Sequence, residues 1–498
     1  MQTLDLIIIF GYLIGITAFG ILYAGKQETT EEYFVGDRSV PWWAIAMSIV
    51  ATETSTITFI SVPGIAFAKG GNFEFLQLVL GYILGRIVIS IVFIPLYFKG
   101  NLQTVYQLLG ERFGGKVKIL ASGLFVVMRN IADGIRLLLT AIVLAAVYTA
   151  FQPDTDPTVV IVGSIVLLGL VMIFFTFYGG IEAVIWIEVV QFVIYIGGAL
   201  AAAVVLVNNI DGGFIGSIDI GQQYEKFQVF DFNLNFAKTY TFWGGVLGGC
   251  FLTMSTHGTD QFMVQRYLCT EKPSSAIAAL MTSGAVVLGQ FIGFLFIGVL
   301  LFAFYQPFNL PGYETAAGAF PFTGGDKVFP DFITQKMPTG LSGLVVAAIF
   351  AAALSSSLNS IAATAVNDIY KPFAKEKTDK QLVRIAGILT VVVGLVQIAI
   401  AISLKDANSS ALGMALSVAS LINGPILGVF LVGAFLNRAK EVHALIGMIT
   451  SIVVMLYILL QTSIAWPWYA LIGSFVTFAV AFISTLFIKS NNTNEVFE

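Results

Sequence analysis

The residues of this chain best placed to do chemistry are charged and hydroxylated side chains lying inside otherwise apolar runs. Between Trp43 and Phe67 the sequence reads WAIAMSIVATETSTITFISVPGIAF, with Glu53 set among Thr52, Thr54, Ser55, Thr56 and Thr58 and followed by Pro63 and Gly64. Such a cluster can ligate a hard cation through oxygen or carry a proton. It can equally be structural, with Glu53 capping exposed amides or pairing with Arg86 or Arg136. A second constellation is Arg129, Asp133 and Arg136, spaced four and three apart and so on one helical face. Read blandly, it is an internal triad in which Asp133 neutralises one arginine. The sharper reading is that two guanidinium groups against one carboxylate leave a positive charge for an anionic solute. Arg136 is the better candidate, because seven residues place it roughly 10 Å deeper than Arg129. A third is Ala351–Ser360, AAALSSSLNS, whose serines and Asn359 offer oxygen ligands or form a satisfied, close-packed face.

The elements that position these residues must be membrane helices. Of the 498 residues, 57% are hydrophobic and 11% charged, with a mean hydropathy of +0.89. Soluble domains carry about a quarter charged residues. Apolar runs of about 20 residues recur to the end of the chain, each long enough to cross a hydrocarbon core of about 30 Å. The runs predict an all-α polytopic membrane protein with thirteen helices at 3–24, 41–68, 74–98, 117–150, 157–178, 182–207, 238–257, 274–305, 340–367, 381–404, 409–436, 442–461 and 466–488. No soluble domain fits between them, so residues 1–498 read as one transmembrane unit. The first run lacks the basic leader and small-residue cleavage site of a signal peptide. Cys250 and Cys269 have no metal-ligand spacing, and His257 and His443 lie far apart. The net charge of −4 says little about partners, and nothing points to nucleic acid.

Thirteen crossings put the termini on opposite sides. Sixteen of the 25 Lys and Arg residues, Arg266 and Lys272 among them, fall in loops on one side and six on the other. Basic loops stay in the cytoplasm, so the N-terminus is expected outside and the C-terminus inside. With the leading helix 3–24 set aside, 41–207 and 238–436 form two groups of five helices, followed by C-terminal helices in 442–488. An odd repeat length inserts the second group upside down. Its first helix, TFWGGVLGGCFLTMSTH, is glycine-rich and can be interrupted like 43–67, or can use its glycines only for close packing. The long outer loops 208–237 and 306–339 have room for short gate helices.

Four strings, EEYFVGDRSVPWWAIAMSIVATETSTITFISVPGIAF, FYGGIEAVIWIEVVQ, GTDQFMVQRYL and AAALSSSLNSIAATAVNDIYKP, resemble the sodium:solute symporter family in order and spacing. The resemblance covers roughly residues 3–440. It implies a five-plus-five inverted-repeat (LeuT-like) core with one extra leading helix, and alternating access driven by a cation gradient, usually Na⁺. It implies a main Na⁺ site at the carbonyls of Ala51, Thr54 and Ile349. The two hydroxyl ligands expected there are replaced by Ala352 and Ala353. A second Na⁺ site is matched by Ser355 and Ser356, with Glu188 as its acidic partner. Glu53 stands where the family mostly has a neutral residue; it is expected either to supply ligand charge or, with Glu188, to take a proton so that H⁺ couples. In the sialic-acid-carrying branch the solute positions correspond to Ser55, Thr58, Phe73, Gln77 and Arg136. These types suit a carboxylated, hydroxyl-bearing solute, since a guanidinium pairs a carboxylate at two points.

Together these readings predict a secondary active symporter in the bacterial inner membrane or another plasma membrane. It imports a small organic solute, a carboxylated sugar or other organic anion, with Na⁺ and with no other cofactor. The alternatives are an H⁺-coupled symporter and a Na⁺-coupled carrier of neutral sugars or amino acids. An enzyme would need a nucleophile–base pair or a metal cluster, which two distant histidines do not provide.

Overall fold

The computed structural model describes residues 2–23, 28–54, 56–100, 102–152, 154–353, 357–374, 377–406 and 421–488. Among these residues every regular element is helical. The main helices are α1 (Thr3–Tyr23), α2 (Trp42–Glu53), α3 (Thr56–Phe67), α4 (Leu76–Val92), α5 (Gly115–Phe151), α6 (Pro157–Asn208) and α7 (Gly249–Gly258). They continue with α8 (Pro273–Tyr305), α9 (Leu341–Ala353), α10 (Leu358–Thr364), α11 (Asp379–Ser403), α12 (Asn423–Phe435), α13 (Glu441–Gln461) and α14 (Trp468–Phe487). Seven of them (α1, α5, α6, α8, α11, α13 and α14) are long and apolar enough to cross a bilayer. The two halves of the 43–67 stretch are together apolar enough for an eighth, and are bent by 63° between Trp42–Glu53 and Thr58–Phe67.

That bend is where the hydroxyl-rich cluster sits. Thr54 leaves the helix with φ −82° and ψ 99°. Threonine side chains compete with the backbone ladder for hydrogen bonds, and the Thr54 hydroxyl donates to the Val50 carbonyl at 2.8 Å. Helix α6 is 52 residues long, about 78 Å if straight. It is two helices meeting at Gly180, whose φ of 57° and ψ of −164° suit only glycine.

The glycine-rich segment before α7 turns out differently from 43–67. Gly244–Gly248 forms a π-helical turn that runs straight into α7, and the chain leaves helical geometry only at Thr259. Its glycines serve close packing. A Cβ on Gly81 would lie 2.3 Å from the Gly245 carbonyl oxygen, and one on Gly85 would lie 2.6 Å from that of Cys250, so α4 and α7 touch backbone to backbone.

The long loops 208–237 and 306–339 both carry short helices, Gly213–Gln223 and Gly325–Gln335. The second lies on α3: a Cβ on Gly64 would lie 2.2 Å from the Gly325 carbonyl oxygen. The leading helix is pinned by Asp5, whose Oδ1 accepts hydrogen bonds from Gly340 N, Ser342 Oγ and Gly343 N at 2.7, 2.8 and 2.9 Å. It thereby satisfies the free N–H groups that open α9.

Candidate solute and cation site

A cavity of about 330 Å³ lies beside the break in 43–67. Thr52, Glu53, Arg129, Arg136, Thr256, His257 and Asp260 all line it. Its wall also includes Tyr106, Phe125, Phe262 and Met263, so it extends toward the face that bears the basic loops 98–114 and 259–272.

On one wall, Glu53 ends α2 and accepts a hydrogen bond from Arg86 Nη2 of α4. His257 Nε2 lies 3.4 Å from the same Glu53 oxygen, Oε2. Arg86 also reaches Ser283 Oγ and the Tyr82 carbonyl, each at 3.4 Å. His257 Nδ1 is 2.9 Å from Thr256 Oγ1. The charge of Glu53 is therefore matched by Arg86, one of the two structural partners that the sequence offered.

The α5 face also lines the cavity, through Arg129 and Arg136. Arg129 Nε pairs with Asp133 at 3.2 Å, and Arg136 Nη1 lies 3.6 Å from the other oxygen of Asp133. The expected excess of two arginines over one aspartate is corrected here. Asp260, from the segment after α7, pairs with Arg129 at 3.5 Å, and the Arg129 guanidinium stacks on Phe262 at 3.9 Å. Two carboxylates thus face two guanidinium groups. The pairing is uneven, however. Asp260 also caps the helix Gln261–Leu268 through Phe262 N at 2.8 Å, and Asp133 accepts from Ser357 Oγ. Arg136 has only the long contact to Asp133, makes no hydrogen bond through its guanidinium among the described residues, and keeps 23% of its side chain accessible.

Of the candidate cation residues, Ala51, Thr54, Glu188 and Ile349 are not among those that line the cavity. Ala51 and Ile349 are buried. Thr54 Oγ1 accepts from Gln290 Nε2 at 2.7 Å, and Gln290 Oε1 accepts from the Tyr195 hydroxyl at 2.6 Å. Glu188 is completely buried. Its carboxylate takes Arg266 Nη2 at 2.5 Å and Nε at 3.1 Å, Thr52 Oγ1 at 2.9 Å and the Ser48 hydroxyl. Arg266, counted in the sequence as a loop cation, is fully buried. Its place in GTDQFMVQRYL was the available signal. Ser55, Ser355 and Ser356 lie outside the described residues, and Ala352 and Ala353 close α9 in helical backbone.

The remaining solute candidates are not gathered with Arg136. Thr58 sits in the first turns of α3, half-buried. Phe73 packs on Phe227 at 5.4 Å and its N–H donates to the Gln228 carbonyl. Gln77 Oε1 accepts from Asp231 N at 2.9 Å. Lys238 ties this cover down by bridging Glu74 at 3.0 Å and Asp231 at 2.6 Å. The hydrogen bond from Lys238 holds the Asp231 carboxyl below its usual range. Phe73 and Gln77 thus lie under the segment 224–243, while Arg136 and Glu53 line the cavity that extends the other way.

Residues 33–451 match the Sodium:solute symporter family. The chain belongs to that family. A sodium/sialic acid symporter of Aliivibrio fischeri is 33% identical, with all of this chain and 96% of that protein covered. Another, from Proteus mirabilis, is 32% identical over 94% of this chain and 92% of its own length. The human sodium-coupled monocarboxylate transporter 1 is 27% identical, covering 91% and 73%. Among solved structures, a substrate-bound, outward-open Na⁺-coupled sialic acid symporter superposes with a TM-score of 0.84 at 29% identity, covering 98% of each chain. This membership makes the protein a Na⁺-coupled symporter and not an enzyme, and gives it a membrane location.

Proposed function

We propose that this symporter imports a carboxylated sugar acid of the sialic acid kind, with Arg136 receiving the carboxylate. The observation that carries the reading is the state of Arg136: a guanidinium lining the cavity, held among the described residues by one contact of 3.6 Å. A guanidinium offers five donors in a planar fork, and two-point pairing with a carboxylate uses that fork fully. The sialic acid symporters of similar sequence and structure support this solute class.

Na⁺ is taken to bind where α2 breaks, at the carbonyls of Ala51, Thr54 and Ile349, with a second ion near Glu188, Ser355 and Ser356. The buried Thr54–Gln290–Tyr195 chain braces the break at a point where Ala352 and Ala353 bring no hydroxyls. Cation binding there orders the break and raises solute affinity, and the coupling is reciprocal. The seven long helices, the bent α2–α3 pair, the second half of α6, and α4, α7, α9–α10 and α12 are read as thirteen crossings. Residues 41–207 and 238–436 then form the two inverted groups, with the N-terminus outside and the C-terminus cytoplasmic.

The test is uptake into proteoliposomes with Na⁺ and H⁺ gradients imposed separately, across sialic acid, other sugar acids, neutral sugars and amino acids. Concentrative sialic acid uptake driven by Na⁺ alone is expected. Uptake driven only by H⁺, or a preference for neutral solutes, refutes the reading.

A further inference from the structure

We propose that Glu53 is the solute's second anchor: it accepts hydrogen bonds from the neutral hydroxyl or amide N–H donors at the end of the solute remote from its carboxylate. This rests on the solute reading above and adds the residue that tells a polyhydroxylated acid from a plain one.

Three observations carry it. First, Glu53 is the most accessible member of its cluster at the cavity, with 14% of its side chain accessible against 1% for Arg86 and 4% for His257. Second, Arg86 and His257 both approach Oε2, and Oε1 makes no hydrogen bond among the described residues. A carboxylate has about four acceptor positions, so most remain open, and Arg86 already balances the charge. A neutral donor therefore suits this wall better than a cation. Third, three of the neighbouring hydroxyls have spent their protons. Ser255 and Thr256 donate to the Leu252 carbonyl at 2.7 and 3.0 Å, and Thr259 donates to that of Ser255 at 3.0 Å. This wall thus presents acceptors and needs donors from its ligand, while the Arg136 wall presents donors and needs a carboxylate. Arg86 and His257 act as positioning residues that hold Oε2 so that Oε1 points free.

The experiment is calorimetric binding to the purified full chain in saturating Na⁺, with sialic acid and lactate as probes. Glu53→Gln keeps the shape and removes the anionic acceptor. A hydrogen bond to a charged group is worth about 1.5–3 kcal/mol, so sialic acid should bind roughly 10- to 150-fold more weakly. Lactate affinity, and Na⁺ affinity measured without solute, should be unchanged. Because Glu53→Gln leaves Arg86 without its counter-charge, the double variant Glu53→Gln/Arg86→Gln is measured in parallel and should show the same selective loss. In His257→Asn the Michaelis constant for sialic acid should rise while the maximal rate holds. Unchanged sialic acid binding in both Glu53 variants overturns the proposal. So does a loss of Na⁺ affinity matching that for sialic acid, which would place Glu53 in the cation site. The wild type separately tests the reading beneath: if it binds lactate as tightly as sialic acid, the sugar-acid assignment itself fails.

Discussion

Lys226 provides a quantitative test of how the segment covering Phe73 is held in place. Its side chain is 1% exposed. The amine donates to the Ala68 carbonyl at 2.6 Å and that of Phe67 at 3.3 Å, at the C-terminal end of α3, and lies 4.1 Å from the Phe302 ring. No carboxylate lies within ion-pair distance among the described residues. Burial pushes the amine down from 10.5 to about 7. When segment 224–230 opens, the amine meets water and its ordinary value returns. The open state therefore binds more protons between pH 7 and pH 10.5, and closure strengthens as pH rises through that window. Below pH 7 both states become protonated, and the cost of burying the charge is felt in full. From pH 6 to pH 8 the linkage relation gives about 1.4 kcal/mol in favour of closure, a tenfold fall in opening. Hydrogen-exchange protection of amides 224–230, corrected for intrinsic rates, should rise about tenfold over that interval. In Lys226→Met the rise should vanish. A flat wild-type profile, or the same slope in Lys226→Met, would refute the reasoning.

Three other outcomes follow from named contacts. Arg136→Lys keeps the charge but loses the two-point fork, so uptake of carboxylated solutes should fall at least about tenfold while Na⁺ binding persists; equal uptake by the variant would remove Arg136 from the site. Glu188→Gln strands the buried Arg266 guanidinium, which costs about 3–5 kcal/mol, and should sharply lower the melting temperature in detergent. Glu188→Gln/Arg266→Met should recover part of that loss, and no recovery would mean that Glu188 stabilises the fold by another route. Gly64→Ala puts a Cβ 2.2 Å from the Gly325 carbonyl, an overpacking worth about 1–3 kcal/mol against the packing of Gly325–Gln335 on α3. Labelling of a cysteine placed at Thr58 from the outer side should accelerate; unchanged labelling would show that α3 and Gly325–Gln335 do not gate.

Much of the architecture was legible because lipid imposes simple rules on a chain. Apolar runs of crossing length revealed the helices, and Glu53 amid hydroxyls located the break between Trp42–Glu53 and Thr58–Phe67 to within a turn. Arg129, Asp133 and Arg136 were readable as neighbours because the helical period places i+3 and i+4 residues together. The glycines before α7 were ambiguous, since the same residue type serves interruption and close approach. Only their contacts with Gln77, Leu78 and Gly81 showed close approach.

What the sequence alone determined, then, is that the chain is built of apolar helices, several of membrane-crossing length, where one of them must loosen, and which charges share a helix. Tertiary structure decided how those charges are matched between helices: Glu53 with Arg86 and His257, Arg129 with Asp260, Glu188 with Arg266. It also decided that Phe73 and Gln77 lie covered while Arg136 lines the cavity. The physical reason is that partners on different helices depend on each helix's depth and rotation. Those are set by backbone contacts such as Gly81 on Gly245 and Gly64 on Gly325, which no periodicity along one strand of text encodes.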